Sequence, residues 1–148
     1  MNRVSYRIKQ YLNFSIPLNG QEQRRSYSIC SGTEEDLSIG VKAIENGLIS
    51  NWFKNDIQVN DTILCSAPEG SFKLKDEHRD VVAFAGGSGI TPILSIAKKL
   101  QQTDGDMHLI YGNQSEEATM FKKDIDALTK VHTNYYFQNS DKETDRTG

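Results

Sequence analysis

The stretch "VVAFAGGSGITPILSIAKKL", residues 81–100, decides the fold. Val81 to Ala85 form an unbroken apolar run, the pattern of a strand buried on both faces. Further on, the apolar positions change period: Ile93, Ile96, Ala97 and Leu100 recur at helical spacing. Thr91 stands where a helix cap belongs, and Pro92 where a first helical residue needs no amide hydrogen. Between strand and helix lies Gly86-Gly87-Ser88-Gly89, a connection almost bare of side chains. Such a turn brings backbone amides and a helix N-terminus, carrying about half a positive charge, to one opening that suits a phosphate or pyrophosphate.

Three known loop types share parts of this pattern. A phosphate-binding P-loop ends in Gly-Lys-Ser/Thr, whereas Gly89 is followed by Ile90. A nucleophile elbow reads Gly-x-Ser-x-Gly; Gly86 and Ser88 match, but Ile90 replaces the second glycine, so the sharp turn that projects a serine is not encoded. A strict G-x-G-x-x-G loop fails at Pro92. What remains is Gly-x-Gly-x-Thr-Pro, which taken alone is equally a tight strand-to-helix connection.

Downstream, "MHLIYG" (107–112) reads as a strand. "SEEATMFKKDIDALTK" (115–130) reads as a helix with Ser115 as N-cap, Glu116 and Glu117 in its first turn, and Ala118, Phe121, Ile125 and Leu128 as its core stripe. "NYYFQ" (134–138) is the next strand, and the tail from residue 139 has no apolar content. Upstream the grammar differs. "YLNFSIPL" (11–18) alternates Leu12, Phe14 and Ile16 with polar neighbours, the period of a half-buried strand. Asn19-Gly20 then supplies a tight hairpin turn, and "RRSYSIC" (24–30) returns. "LSIGVKAI" (37–44) reads as a third strand, and a short helix follows Gly47, starting near Leu48. "TILCSA" (62–67) is another strand, ending in the turn "PEGSF" (68–72). Antiparallel strands followed by β-α-β-α-β predict a small β-barrel joined to a parallel α/β half, with the boundary near Lys75 to Asp80.

Composition narrows the function. The 148 residues carry a net charge of −3 with no basic stripe, which argues against nucleic acid as a partner. No apolar run approaches the roughly 18 residues that span a membrane, and no membrane partner is expected. Cys30 and Cys65 lie in strand-like segments and read as small buried hydrophobes in a reducing cytoplasm. His78, His108 and His132 lack ligand spacing, so no metal site is expected.

The first half offers chemistry to match the glycine turn. In Arg25-Ser26-Tyr27-Ser28, strand alternation puts Arg25 and Tyr27 on one face and Ser26 and Ser28 on the other. A guanidinium grips phosphate bidentately, a phenol lies against a planar ring, and a serine hydroxyl bonds a ring nitrogen. Gly47-Leu48-Ile49-Ser50 makes a second helix N-terminus, so two anion sites flank one aromatic. That combination suits a nucleotide larger than a mononucleotide.

These segments resemble, in order, the motifs of the ferredoxin–NADP reductase superfamily: "RSYS" its Arg-x-Tyr-Ser flavin motif, "GLIS" its Gly-x-x-Ser pyrophosphate motif, "PEGSF" its Pro-x-Gly-x-Phe turn, and "GGSGITP" its nicotinamide-side motif. "YGNQSEEATMFKKDIDAL" resembles the second β-α unit, and the nearest flavour is the reductase components of bacterial oxygenases. The resemblance implies an FAD-binding barrel over 1–78 and an NAD(P)-binding α/β domain over 79–148, passing hydride from NADH or NADPH to FAD and electrons on to a protein, such as a ferredoxin-type or oxygenase component, or to a small acceptor. It implies that Arg25 contacts the FAD pyrophosphate, Tyr27 the flavin or ribityl face, and Ser28 the flavin near N5. Lys42 lies where the family meets the cofactor, and Gly47 and Ser50 close the pyrophosphate site. Gly87, Ser88, Gly89, Thr91 and Pro92 would hold the nicotinamide nucleotide. Relatives that take NADPH carry a Ser-Arg at the end of the strand after the second helix; Gln138-Asn139 stands there, with Asn113-Gln114 on the preceding loop, so NADH is expected to serve at least as well. Against the family's pattern the chain is expected to lack the first barrel strand and the last part of the α/β domain. A remnant that binds nucleotide without turnover is the alternative.

Overall fold

A computed structural model describes residues 5–8, 10–70 and 78–138. The first half is built on a hairpin. β1 (Tyr11–Leu18) and β2 (Gln21–Ser28) pair antiparallel, with Leu12 opposite Tyr27 and Phe14 opposite Arg25. Asn19 and Gly20 have φ of 53° and 74°, the pair of positive values that a tight hairpin turn needs. Leu12, Phe14 and Ile16 are buried as the alternation predicts. Helix α1 (Leu48–Asn55) follows, and the short β3 (Leu64–Cys65) pairs with the other edge of β1, giving the order β2-β1-β3. Phe14, Tyr27 and Phe53 meet edge to face, with centroids 5.4–6.0 Å apart, around Ile29 and Ile49 in the first core.

The second half is a parallel sheet of order β4-β5-β6: β4 (Val81–Gly86), β5 (Met107–Asn113) and β6 (Val131–Phe137). Helix α2 (Ile90–Leu100) and the short α3 (Lys122–Asp126) cover one face, over a core of Ala83, Ile90, Leu94, Leu100, Leu109 and Tyr111. Cys30 of the first half is buried in this second core, so the two halves share apolar packing.

Four expectations are corrected. Residues 37–44 are not a strand: their strand pairing is confined to the isolated bridge Ile29–Ile39, because the segment runs across the seam between the halves. There Gly40 lies so close to Thr91 and Phe121 that an added Cβ would stand 2.7 Å from each. The helix expected over 115–130 is confined to Lys122–Asp126. Ser115 does cap a turn, accepting from the Ala118 amide, but Phe121 is left-handed (φ 58°) and breaks the helix. A tertiary bond competes here: the Ala118 carbonyl accepts from Lys42, where a continuous helix would commit it to its own amide. Thr91 is no cap and Pro92 no first helical residue; Gly87–Gly89 wind into a single 3-10 turn, α2 starts at Ile90, and Thr91 donates back to the Ser88 carbonyl (3.1 Å). Finally, β4 is buried on one face only, since Val82 and Phe84 are 63% and 71% exposed on the face that no described helix covers. The boundary segment 71–77 and residue Asn139 lie outside the described residues.

Candidate functional site

The chain's glycine turn opens into a cavity of about 940 Å³ between the two halves. One wall is the end of β4 and the turn, Gly86, Gly87 and Ser88; the opposite wall is Lys42 to Glu45 of the seam segment. The far end is formed where β5 and β6 stop, at Gly112, Asn113, Gln114 and Tyr136 to Gln138. Parallel pairing sets this shape, because Gly86 lies opposite Gly112, and Gly112 opposite Tyr136. All three strands therefore end at one level, and loops leave from it.

Backbone geometry shapes the turn. Gly87 has φ of +50°, which glycine adopts without strain. The Tyr111 hydroxyl donates to the Gly87 carbonyl (2.8 Å), holding that oxygen toward the core. Since a trans peptide is planar, the Ser88 amide hydrogen on the same unit points the opposite way. Tyr111 is fully buried, and burial pushes its phenol pKa up against the smaller effects of Asn113 and the Met120 carbonyl, so it stays a donor. Added Cβ atoms at Gly86 and Gly89 would meet nothing within 4 Å, which makes the space beside the turn free of protein. The Asn113 carboxamide lies beside Tyr111, yet neither its nitrogen nor its oxygen completes a hydrogen bond although both are buried. Free volume and unspent polar groups fit a phosphate-bearing nucleotide.

On the first half the expected residues divide. Lys42 and Ser50 share a second cavity, about 400 Å³, with Phe53, Ala118 and Met120. Tyr27 reaches this cavity's wall through its edge contact with Phe53, and burial raises its phenol pKa despite the Arg25 charge. Ser50 bonds locally: its hydroxyl donates to the Gly47 carbonyl and accepts from the Ile44 amide, both at 3.3 Å. A Cβ at Gly47 would strike that hydroxyl at 2.4 Å, so the glycine keeps this turn closed. Gly47 faces a separate hollow with Leu18 and Trp52. Arg25 lies in a groove with Ser26 and Cys65; its guanidinium donates to the Arg24 carbonyl and meets no carboxylate among the described residues. Arg24, by contrast, is paired with Glu22 at 2.7 Å. Ser28 is half-buried at the end of β2, and Gly89, Thr91 and Pro92 stand behind the turn in or next to α2. The structure thus brings Lys42, Gly87 and Ser88 together and leaves Arg25 and Gly47 in other hollows. An uncommitted guanidinium and an aromatic cluster beside a hollow suit a flavin nucleotide.

Sequence reasoning missed Glu45, Gly112, Tyr136 and Phe137 as cavity walls. One signal was present: "FAG" and "IYG" place a glycine at the last residue of β4 and the last but one of β5, as expected where two parallel strands let a ligand approach the backbone.

Comparison with known proteins agrees with both halves. Residues 1–74 match the oxidoreductase FAD-binding domain family and residues 84–148 the oxidoreductase NAD-binding domain family. The chain is 36% identical over 124 residues to a component of the 1,2-phenylacetyl-CoA epoxidase of Escherichia coli, covering 80% of the chain and 35% of that protein. It is 33% identical over 126 residues to the flavohemoprotein of Pseudomonas putida, covering 83% of the chain and 32% of that protein. It is 33% identical over 135 residues to the ferredoxin reductase component of 3-ketosteroid-9-alpha-monooxygenase from Rhodococcus rhodochrous, covering 88% and 38%. The chain therefore spans about a third of the length of these relatives. In fold it follows the flavohem-like FAD/NAD-binding domain of the Vibrio cholerae nitric oxide dioxygenase, with a TM-score of 0.81 at 22% identity over 94% of this chain and 64% of that one. The Plasmodium falciparum ferredoxin-NADP+ reductase gives 0.77 at 22% identity over 92% and 61%. A half matching the oxidoreductase FAD-binding domain family, followed by one matching the oxidoreductase NAD-binding domain family, makes this chain a member of those two oxidoreductase domain families, on the fold that ferredoxin-NADP+ reductase also has.

Proposed function

We propose that residues 1–78 hold FAD, that residues 79–148 hold a nicotinamide nucleotide in the cavity at the strand ends, and that the protein carries electrons from NAD(P)H to a protein acceptor. The observation that carries the reading is the 940 Å³ cavity walled by both halves, in which the glycine turn faces Lys42. FAD would supply the redox chemistry, taking a hydride from the reduced nicotinamide and passing electrons on singly or in pairs. The chain's own residues bind and orient. Arg25 offers an uncommitted cation to the FAD pyrophosphate, Tyr27 an aromatic surface, and Ser28 a hydroxyl near the ring edge. Gly47 and Ser50 shape the turn before α1. Gly87, Ser88 and Gly89 give the nucleotide a close backbone approach, while Thr91 and Pro92 fix the start of α2 behind them.

Asn113, Gln114 and Gln138 at the far end of the cavity offer no cation to a 2′-phosphate, which favours NADH. Relatives named as part of an epoxidase and as a monooxygenase's ferredoxin reductase component favour a ferredoxin-type or oxygenase protein as acceptor. A cytoplasmic setting fits two free thiols, Cys30 buried as expected and Cys65 exposed on the short β3, against the expectation of burial. Among the described residues no helix is long and apolar enough to cross a membrane. The test is FAD-dependent reduction of ferricyanide by NADH with the purified chain. Saturable turnover that needs both nucleotides supports the reading, and binding without turnover would leave only the nucleotide-binding part of it.

A further inference from the structure

We propose that His108 and His132 form a chelating pair for a divalent transition metal, with Zn2+ as the type case, on the face of the parallel sheet away from its helices. The pair lines neither of the cavities between the halves, so the proposal does not depend on the reading above. Far apart in sequence, the two histidines are brought together by parallel register: His108 of β5 is the direct partner of His132 of β6. Met107 and Leu109, on either side of His108, are buried in the core, so alternation turns both imidazoles outward together. Their rings lie side by side, with centroids 5.2 Å apart and planes 29° from parallel. A tetrahedral metal about 2.0–2.1 Å from one nitrogen of each ring sets two imidazole centroids roughly 5 Å apart. The strands already hold the rings at that separation.

Asp106 prepares the pair. Its Oδ2 lies 3.3 Å from Nε2 of His132, and a carboxylate only accepts, so in the neutral ring Nε2 carries the hydrogen and Nδ1 the lone pair. A carboxylate behind a ligating imidazole fixes its tautomer and raises its basicity. Neither nitrogen of His108 has a hydrogen-bond partner among the described residues. Turning that ring about its soft χ2 torsion aims its lone pair at a metal held by His132. No group of three or more His, Cys, Asp or Glu ligands gathers among the described residues, and both rings are exposed, so water completes the tetrahedron. Imidazole selects zinc, copper or nickel, whereas magnesium takes oxygen ligands and is refused. Because β6 is the edge strand of its sheet, a metal bridging it to β5 pins that edge.

The test is calorimetric titration of the tag-free chain with ZnCl2 and with MgCl2, as wild type, His108→Asn, His132→Asn, Asp106→Asn and His78→Gln. The unfolding temperature of each is followed with and without Zn2+. Wild type is expected to take up one Zn2+ saturably, to ignore Mg2+, and to unfold at a higher temperature with Zn2+ present. Either variant of the pair should lose both the uptake and the shift, and Asp106→Asn should bind about ten-fold more weakly. His78→Gln, which removes a histidine beside Asp104, should match wild type. His108 and His132 are exposed, so without metal their variants should unfold as wild type does. Broadening of the two ring resonances by substoichiometric Cu2+ in the wild type gives a reading that needs no variant. Absence of saturable Zn2+ uptake by wild type, or uptake that survives in His108→Asn, overturns the inference. So does uptake abolished by His78→Gln, or Cu2+ broadening confined to other residues.

Discussion

A methyl group added at Gly86 would meet open space on an extended backbone (φ −130°, ψ 126°), whereas one added at Gly40 would stand 2.7 Å from Thr91 and from the Phe121 ring. The two alanine variants should therefore separate stability from binding. Gly86→Ala restricts the unfolded chain without a clash and should raise stability by about 0.4–1 kcal/mol. The same methyl stands in the cavity mouth, so NAD+ affinity should fall. Gly40→Ala should lose about 1–3 kcal/mol through overpacking at the seam. Urea unfolding and NAD+ titration of both proteins check this; a destabilised Gly86→Ala that binds normally would mean the turn is structural. Tyr111→Phe deletes the donor to Gly87 and leaves a part-buried carbonyl unmet, at a cost of about 0.5–1.5 kcal/mol, and should weaken NAD+ as well. Loss of stability with full nucleotide affinity would show that the turn does not need its carbonyl held.

At the level of elements, what was legible followed from local pattern. The β1–β2 hairpin was set by alternation plus Asn19-Gly20, and α1 by the apolar run after Gly47; both form where the residues predict. Two of the misreadings share a physical cause, tertiary contacts that replace the local ones. The stretch 37–44 has strand composition but spends its contacts on Thr91, Phe121 and Ala118 instead of a ladder. The stretch 115–130 has helix composition, but its carbonyl at Ala118 accepts from Lys42, 76 residues away, and Phe121 turns left-handed. Of the site, the glycine turn and Lys42 were readable as motif positions, whereas Tyr136 and Phe137 entered the cavity only through parallel register. The seam also holds an ion pair, Lys98 to Glu35 at 2.6 Å. Burial pushes the Glu35 carboxyl up, but hydrogen bonds from Lys98 and the Gly32 amide, with the Lys98 charge, outweigh it and leave the pKa lowered. A depressed folded pKa gives stability that is present above the unfolded value of about 4.3 and is lost as pH falls through the folded one. The pair is partly exposed, so its worth is below about 1 kcal/mol. Lys98→Gln should flatten the acid limb of the stability curve and leave neutral stability nearly unchanged; an identical acid limb in the variant would rule out a contribution from the pair.

At the scale of the whole molecule, the parallel sheet exposes large apolar side chains on one face, among His108, His132 and Asn134. Val82, Phe84 and Tyr136 there are all more than 60% exposed, and an exposed apolar patch favours association. Phe84→Ser should change unfolding by no more than about 0.5 kcal/mol, since little packing is lost, while lowering the scattered light of concentrated solutions. Unchanged scattering would clear this face of blame. The central claim concerns the cleft between the halves, where the seam segment carries a cation to the glycine turn and three strands end together. It is tested most directly by recording backbone amide NMR spectra of the FAD-reconstituted chain as NAD+ is added. Shifts are expected to concentrate at Lys42–Glu45, Gly86–Ser88, Asn113–Gln114 and Tyr136–Gln138, saturating together. Saturable shifts confined to other residues, or none at all, would contradict the claim.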